Sequence, residues 1–468
     1  MELSAGNILL RLSWRLLLSY NQSMSEILTV IGGGLAGSEA AWQAARRGVK
    51  VRLYEMRPDK QTEAHRTGML GELVCSNSLR SNDLYTAPGV LKKELSMAGS
   101  LIMEAAGAST VPAGSALAVD RELFAGYISN RIENEPNIEV VRQEMSEIPG
   151  GAVILATGPL TSTAMTKALA QLIGGEYLYF YDAIAPIIDA GSVDYEKVYR
   201  ASRYGKGEGD DYLNCPMTKE EYEAFYSALT EADKVTAREF EEQRVFEGCM
   251  PVEVMASRGF DTPRFGPMKP VGLPDPKTGK EPYAVVQLRA ENRELTSYNI
   301  VGFQTRLKWP EQKRVFRLIP GLEHAEFLRF GSLHRNTFIN APVFLNRDLT
   351  LKNRTDLYIA GQISGVEGYI ESTAMGLLAG INAGLKLAGK ELPELPFSTS
   401  HGALIYHLID SESRHFQPSN INFGLFPVPA AAAKMRDKKQ KRKIIVDKAL
   451  ADWEDYLKKI ATIQADSL

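Results

Sequence analysis

Three groups of residues in this chain are of types and spacings that do chemistry. The first is the run Gly32-Gly33-Gly34-Leu35-Ala36-Gly37, a G-x-G-x-x-G turn, with Glu55 eighteen residues beyond it. Gly32 permits a tight turn, Gly34 lets the backbone approach a pyrophosphate, and Gly37 lets the following helix pack on its strand. The start of that helix turns N–H groups and the positive dipole end toward phosphates. Glu55 stands where a carboxylate accepts ribose hydroxyls and repels a 2′-phosphate. The second group is the thiols Cys75, Cys215 and Cys249, with no C-x-x-C pair among them. That pattern excludes a four-cysteine metal centre, gives no reason to expect any metal, and suits a reducing cytoplasm. A lone thiol is most often a small core hydrophobe. It becomes a nucleophile where positive charge lowers its pKa, and Arg80, Arg258 and Arg289 are candidates to supply it. The third group is the segment from Gly361-Gln362 through Tyr369 to Ser372, whose glycines precede a second helix start.

These groups need elements to hold them. Ile27 to Ile31 reads as a short strand, Ser38 to Arg47 as a helix ended by Gly48, and Val49 to Tyr54 as a second strand closing on Glu55, which together make one βαβ unit. The buried run Ala152 to Ala156 ends in Thr157-Gly158-Pro159, and Leu357 to Ala360 ends in Gly361. Flavoenzymes commonly close an FAD domain with a turn like the one at Gly158, so FAD is expected here rather than NAD. Gly376 to Leu387 reads as a small-residue helix. Between these segments lies a stretch rich in Pro, Arg, Tyr and Phe. The expected fold class is therefore α/β, a Rossmann-like FAD-binding domain split in sequence with an inserted α+β domain. The expected parts are 24–180, the insert 181–345, and 346–468, the last ending in a helix from about Ala430 to Ile463.

Hydrophobic residues at 44% and charged residues at 24% are ordinary for a globular protein, so disorder is not expected. The net charge of -3 neither favours nor excludes nucleic acid. Clustering matters more, and seven of the ten residues from Lys434 to Lys443 are Lys or Arg. Residues 1–23 have a short, arginine-interrupted apolar stretch that imitates a signal peptide without a cleavage site, and they are expected to be a non-native or disordered extension ahead of Met24. No other apolar run has the length to span a bilayer.

At four blocks the residues become specific to a family: Glu72-Leu73-Val74-Cys75-Ser76-Asn77-Ser78, Tyr212-Leu213-Asn214-Cys215-Pro216-Met217, Phe246-Glu247-Gly248-Cys249-Met250-Pro251, and the 361 to 372 segment. With further blocks such as His334-Arg335-Asn336-Thr337-Phe338, the chain resembles the folate- and FAD-dependent tRNA (uracil-5-)-methyltransferases from about Ile27 to about Pro429. The resemblance implies methylation of C5 of the T-loop uridine of tRNA, position 54 in tRNA numbering. Carbon would come from methylenetetrahydrofolate and electrons from NADPH or NADH through FAD. Alternatives are a ribosomal RNA uridine, or wobble-uridine modification by a related flavoprotein whose family is much longer at its C-terminus. The partners so implied are tRNA and folate, in the cytoplasm, with no membrane and no protein partner.

The chemistry asks for a thiolate. Uracil C5 is a poor nucleophile, and a thiolate adding to C6 turns the ring into an enolate able to attack a methylene carbon. The family pattern maps its two functional cysteines onto Cys75 and Cys249. Cys249 is expected to add to C6, and Cys75 to act at the C5 proton or to shield the flavin adduct; the roles are exchangeable. Cys215 is expected to be structural. Gly32, Gly33, Gly34, Leu35, Ala36, Gly37, Glu55, Gly158, Gly361 and Gln362 are expected around FAD, with Tyr369 there or against the pterin. His65 with Arg66 and His334 with Arg335 are weaker candidates for anions of folate or RNA. A flipped base needs a basic, partly aromatic surface, for which Arg289, Arg293, Arg306, Lys308, Trp309, Lys313, Arg314 and Arg317 form one stretch and Lys434 to Lys443 another.

Overall fold

The computed structural model describes residues 27–62, 64–174, 178–235 and 250–465; the 1–23 segment, Met24 and Cys249 lie outside these. The βαβ unit opens it. β1 (Leu28–Ile31) runs into the glycine turn, α1 (Leu35–Ala45) follows, and β2 (Val51–Glu55) lies parallel to β1. α1 begins inside the glycine motif rather than at the expected Ser38, because Gly34 takes the extended backbone of an N-cap. In β2 the two-residue period puts Val51, Leu53 and Glu55 on the buried face.

β3 (Ile138–Arg142), β4 (Val153–Leu155) and β5 (Arg354–Ile359) complete a parallel sheet in the order β3-β2-β1-β4-β5, with Thr350–Leu351 antiparallel on the edge of β5. β4 is apolar and buried throughout, as a strand covered on both faces must be. Strand order reverses between β1 and β4, so their carboxyl ends open a crevice of the kind in which doubly wound sheets bind nucleotides.

α2 (Tyr369–Leu387) packs along α1. It starts at Tyr369, a turn and more before the expected Gly376, because the chain passes from Gly368, at a φ of 110° open to glycine, directly into helical backbone. Contact between the helices is set by small residues. A Cβ on Gly376 would lie 2.2 Å from the Ala36 carbonyl oxygen, and one on Gly380 2.4 Å from that of Ala40.

In sequence, a second sheet lies between β4 and β5. Its six antiparallel strands run from Ile187 to Arg329, in the spatial order Tyr199–Arg200, Tyr212–Met217, Ala284–Ala290, Ser297–Ile300, Ile187–Asp189, Phe327–Arg329. It carries its own apolar core, including Tyr222, Phe225, Phe303 and Phe316. The chain enters and leaves this part through the paired antiparallel strands Leu178–Ile184 and Ser332–Phe338. The tail departs from the expected single helix: Ala430–Ala433 is separate from Lys438–Ala465. The second helix starts afresh where the Asp437 carboxylate accepts the Lys439 amide at 2.8 Å, as an N-cap does. The long helix buries Trp453, whose indole donates to the Glu94 carbonyl at 2.8 Å and stacks 4.2 Å from the His401 ring, fixing the tail to the Ala87–Met97 helix.

Candidate active site

A cleft of about 1000 Å³ runs over the carboxyl ends of β1, β2 and β4. Gly32, Gly34, Leu35, Ala36, Glu55, Gly158, Gly361, Gln362 and Tyr369 all line it. Gly33 and Gly37 lie behind that wall. A Cβ on Gly37 would strike the Gly32 carbonyl at 1.7 Å, so helix and turn touch there, whereas a Cβ on Gly34 would meet nothing within 4 Å. Open space before Gly34, at the N-terminus of α1, is what an approaching pyrophosphate requires. The residues present thus fit an extended dinucleotide.

Glu55 is more engaged than a waiting ribose acceptor. Its Oε2 accepts from the Gly33 amide at 2.8 Å and from Arg57 Nη2 at 3.1 Å, and its Oε1 from the Arg57 amide at 3.0 Å and Nε at 2.9 Å. Burial pushes its carboxyl up, and the Arg57 bonds and charge outweigh that and hold it below the usual carboxylate range. Arg57 also donates to Glu72 at 3.0 Å. Four donors occupy a carboxylate with about four lone-pair sites, so ribose hydroxyls would share Glu55 with Arg57 or displace one of its arms. Sequence reasoning missed Arg57, although its place two residues after Glu55 was the available signal.

Val74, Pro159, Leu160, Gln362 and Tyr369 line this cleft and also a second cavity of about 1420 Å³, where Cys75 sits half-buried. Residues of the inserted part, Arg289 and Asn299 on its sheet and Gln304 in the loop that follows, are among those that make its other wall. The Cys75 amide donates to the Tyr369 hydroxyl at 2.8 Å, joining the two expected residues across 294 positions. Arg121 donates to the carbonyls of Leu73 and, at 2.8 Å, of Cys75, and pairs with Glu291 of the inserted part. Arg289 donates to Ser76 Oγ and Asn77 Oδ1, each at 2.8 Å. Arg121, Arg289 and Arg329 all interact electrostatically with Cys75. Of the arginines expected beside a thiol, Arg80 and Arg289 line this cavity and Arg258 lines neither one. Nothing local marked Arg121 and Arg329, which only the fold brings near.

Cys215 is completely buried in the second core, where burial pushes its thiol up, as a structural cysteine should be. Cys249 lies outside the described residues. The chain resumes at Met250, and the Val252 amide donates at 2.8 Å to the carbonyl of Gln304, a residue of the Cys75 cavity wall. His65 lines the first cleft, but burial and then Arg57 lower its pKa to about 4, so it is no cation at neutral pH. The side chains of His334 and Arg335 also lie outside what the structure describes.

The basic stretch is less available than its sequence suggested. Arg293 and Arg317 donate to backbone carbonyls, Lys308 pairs with Asp233 at 3.1 Å and Arg314 with Glu311 at 2.5 Å. Trp309 is exposed, stacked 5.3 Å from Phe330 with Lys313 over that ring. No helix among the described residues is long and apolar enough to cross a membrane.

Sheet order, glycine cradle and acid at the end of β2 define a protein of the Rossmann-like dinucleotide-binding class, with a thiol cavity opening off the cofactor cleft. The family model described as Glucose inhibited division protein A matches residues 27–391. Methylenetetrahydrofolate–tRNA-(uracil-5-)-methyltransferase TrmFO of Citrifermentans bemidjiense is 57% identical over 439 residues, covering 94% of this chain and 100% of its own. Its counterpart from Geobacter sulfurreducens is 58% identical over 435 residues, covering 93% and 99%. Among solved structures, Aquifex aeolicus GidA aligns with a TM-score of 0.67 at 18% identity, over 95% of this chain and 76% of that one, a likeness of fold. The chain belongs to the Glucose inhibited division protein A family and, with these relatives, to the methylenetetrahydrofolate–tRNA-(uracil-5-)-methyltransferases.

Proposed function

We propose that this enzyme methylates C5 of the T-loop uridine at position 54 of tRNA, in the cytoplasm, with methylenetetrahydrofolate as carbon donor and FAD reduced by NADPH or NADH. The observation that carries the reading is the shared wall at Val74, Gln362 and Tyr369, which sets a cysteine-bearing cavity against a dinucleotide cleft. Gly32 to Gly37, Gly158, Gly361 and Gln362 hold the dinucleotide, with Glu55 and Arg57 beside its ribose. Bound FAD supplies the hydride that completes the methyl group.

The protein's own residues do the rest. The Cys249 thiolate adds to C6 of uracil, forming a C–S bond and making C5 nucleophilic toward the methylene carbon. Cys75 takes the C5 proton as the transferred carbon's bond to its donor nitrogen breaks, and addition of hydride to the resulting exocyclic methylene breaks the C–S bond and releases Cys249 as thiolate. Arg121 and Tyr369 fix the Cys75 backbone, and the positive charges of Arg121, Arg289 and Arg329 act on its thiol.

The test is transfer of labelled carbon from methylenetetrahydrofolate to an unmodified tRNA transcript, with T-loop uridine and wobble-uridine mutants and a ribosomal RNA fragment alongside. Label is expected only where the T-loop uridine is intact; equal labelling of the T-loop mutant overturns the reading. C249A and C75A should each lose transfer by about a thousandfold or more, while C215A retains it.

A further inference from the structure

Lys92 is a buried cation whose bonds all go to backbone. It lies in the Ala87–Met97 helix, only 2% exposed, and its ammonium donates to the carbonyls of Leu79 at 3.1 Å, Arg80 at 3.2 Å and Ser81 at 2.6 Å. Those three carbonyls belong to one short strand, in which Arg80 has φ 65°, the left-handed region that a non-glycine residue enters at a cost. From this backbone the Arg80 guanidinium reaches Glu371 Oε1 at 2.9 Å, yet its side chain stays 39% exposed in the wall of the Cys75 cavity. Glu371, in the first turn of α2, is fully buried, and its Oε1 also accepts the Ile421 amide at 2.9 Å.

The other charged residues in that wall are occupied. Arg289 is buried with its arms on Ser76 and Asn77, and Glu367 accepts from Gln362 at 2.7 Å. Among the described residues, Arg80 is therefore the lining cation with an exposed guanidinium. We propose that Lys92 is the positioning residue for Arg80, and that Arg80 so held recognises an anionic group, carboxylate or phosphate, of a substrate entering the Cys75 cavity.

The clamp needs the ammonium charged. Burial and the Arg80 charge lower the Lys92 pKa to about 8, against the opposing pull of Glu371. Arg80 on the strand and Glu371 on α2 are the charges that face it. The neighbouring helices Ser400–Asp410 and Lys438–Ala465 meet the Lys92 helix at Glu94 instead, through His401 and Trp453, and Glu104 on the helix that follows is paired with Arg131. Above about pH 8 Lys92 loses its charge and one of its three N–H donors, and the strand that carries Arg80 is held less firmly.

This inference rests on the proposed function, and wild-type transfer in the same assay tests that reading separately. Steady-state KM is measured on holoenzyme for methylenetetrahydrofolate, as mono- and polyglutamate, and for the tRNA transcript, from pH 6.5 to about 9.5. R80K and K92M should raise the same KM by about tenfold or more with a smaller change in kcat; a folate effect identifies a carboxylate, an RNA effect a phosphate. In the wild type that KM should rise above pH 8, and in K92R the rise should move to higher pH. Unchanged KM values in K92M, or R80K and K92M acting on different substrates, overturn the inference. If K92M does not fold, the K92R profile decides, and its coincidence with wild type overturns the inference equally.

Discussion

Glu55 does two jobs with one carboxylate, and they can be separated experimentally. It ties the glycine turn to β2 through the Gly33 amide and neutralises Arg57, which is 1% exposed. E55Q keeps the shape but leaves the buried Arg57 guanidinium with Glu72 as its remaining charge partner, which costs about 2–4 kcal/mol. Denaturation of the flavin-free protein in urea should show this at pH 7. The sign with pH follows from the lowered folded pKa. The ion pair contributes fully above the unfolded value near 4.5, and its contribution is lost as pH falls through the folded one. Wild type and E55Q should therefore converge in acid, and a gap that does not narrow as the pH is taken below 4.5 would contradict the assignment. The glycines and Glu55 were legible in sequence because strand, turn and acid are local and in register. The cations around Cys75 were legible only in part: Arg289 was a candidate from sequence, whereas Arg121 and Arg329 approach Cys75 through tertiary packing.

At the scale of elements, the contact between α1 and α2 decides whether the cofactor cleft has two walls. Gly361 and Tyr369 reach the cleft only because α2 lies close on α1, and the closeness is a matter of missing side chains. G376A and G380A each force a methyl group into a backbone carbonyl of α1. Each should cost about 1–3 kcal/mol and lower the flavin retained after gel filtration. G384A makes the contrast. Its Cβ would meet the Arg47 side chain at 3.2 Å and no backbone atom nearer than the Ala44 Cα at 3.8 Å, so higher helix propensity should offset the small shift asked of Arg47 and keep stability within about 1 kcal/mol of wild type. If G384A proved as damaging as G376A, backbone contact would not be what sets the spacing. Small residues at helical spacing made this helix readable from Gly376 onward. The turn before it was not, because Glu371 and Ser372 are buried and Tyr369 half-buried, held by partners distant in sequence such as the Arg80 guanidinium and the Cys75 amide.

For the molecule as a whole, the split domain was legible because glycine-ended strands at 158 and 361 flank a stretch of different composition. The distribution of usable charge was not. A basic run in sequence says nothing of internal bonding, and much of the 289–317 stretch bonds to its own carbonyls and carboxylates. Lys434 to Lys443 differs: Lys434, Lys438 and Lys439 are exposed, at the start of a helix fixed to the first domain through Trp453. With a net charge of -3, the long-range attraction of RNA must come from such local clusters. The variant K434Q/K438Q/K439Q/K441Q should bind tRNA more weakly at low salt. Its plot of log affinity against log salt should be shallower by about three units, since every phosphate no longer neutralised by a lysine takes about 0.7–0.9 off the slope. Flavin content and transfer at saturating tRNA should be unchanged, because the cluster touches neither cavity. An unaltered salt slope would move the RNA face elsewhere, and Trp309 with Lys313 would be the next surface to test.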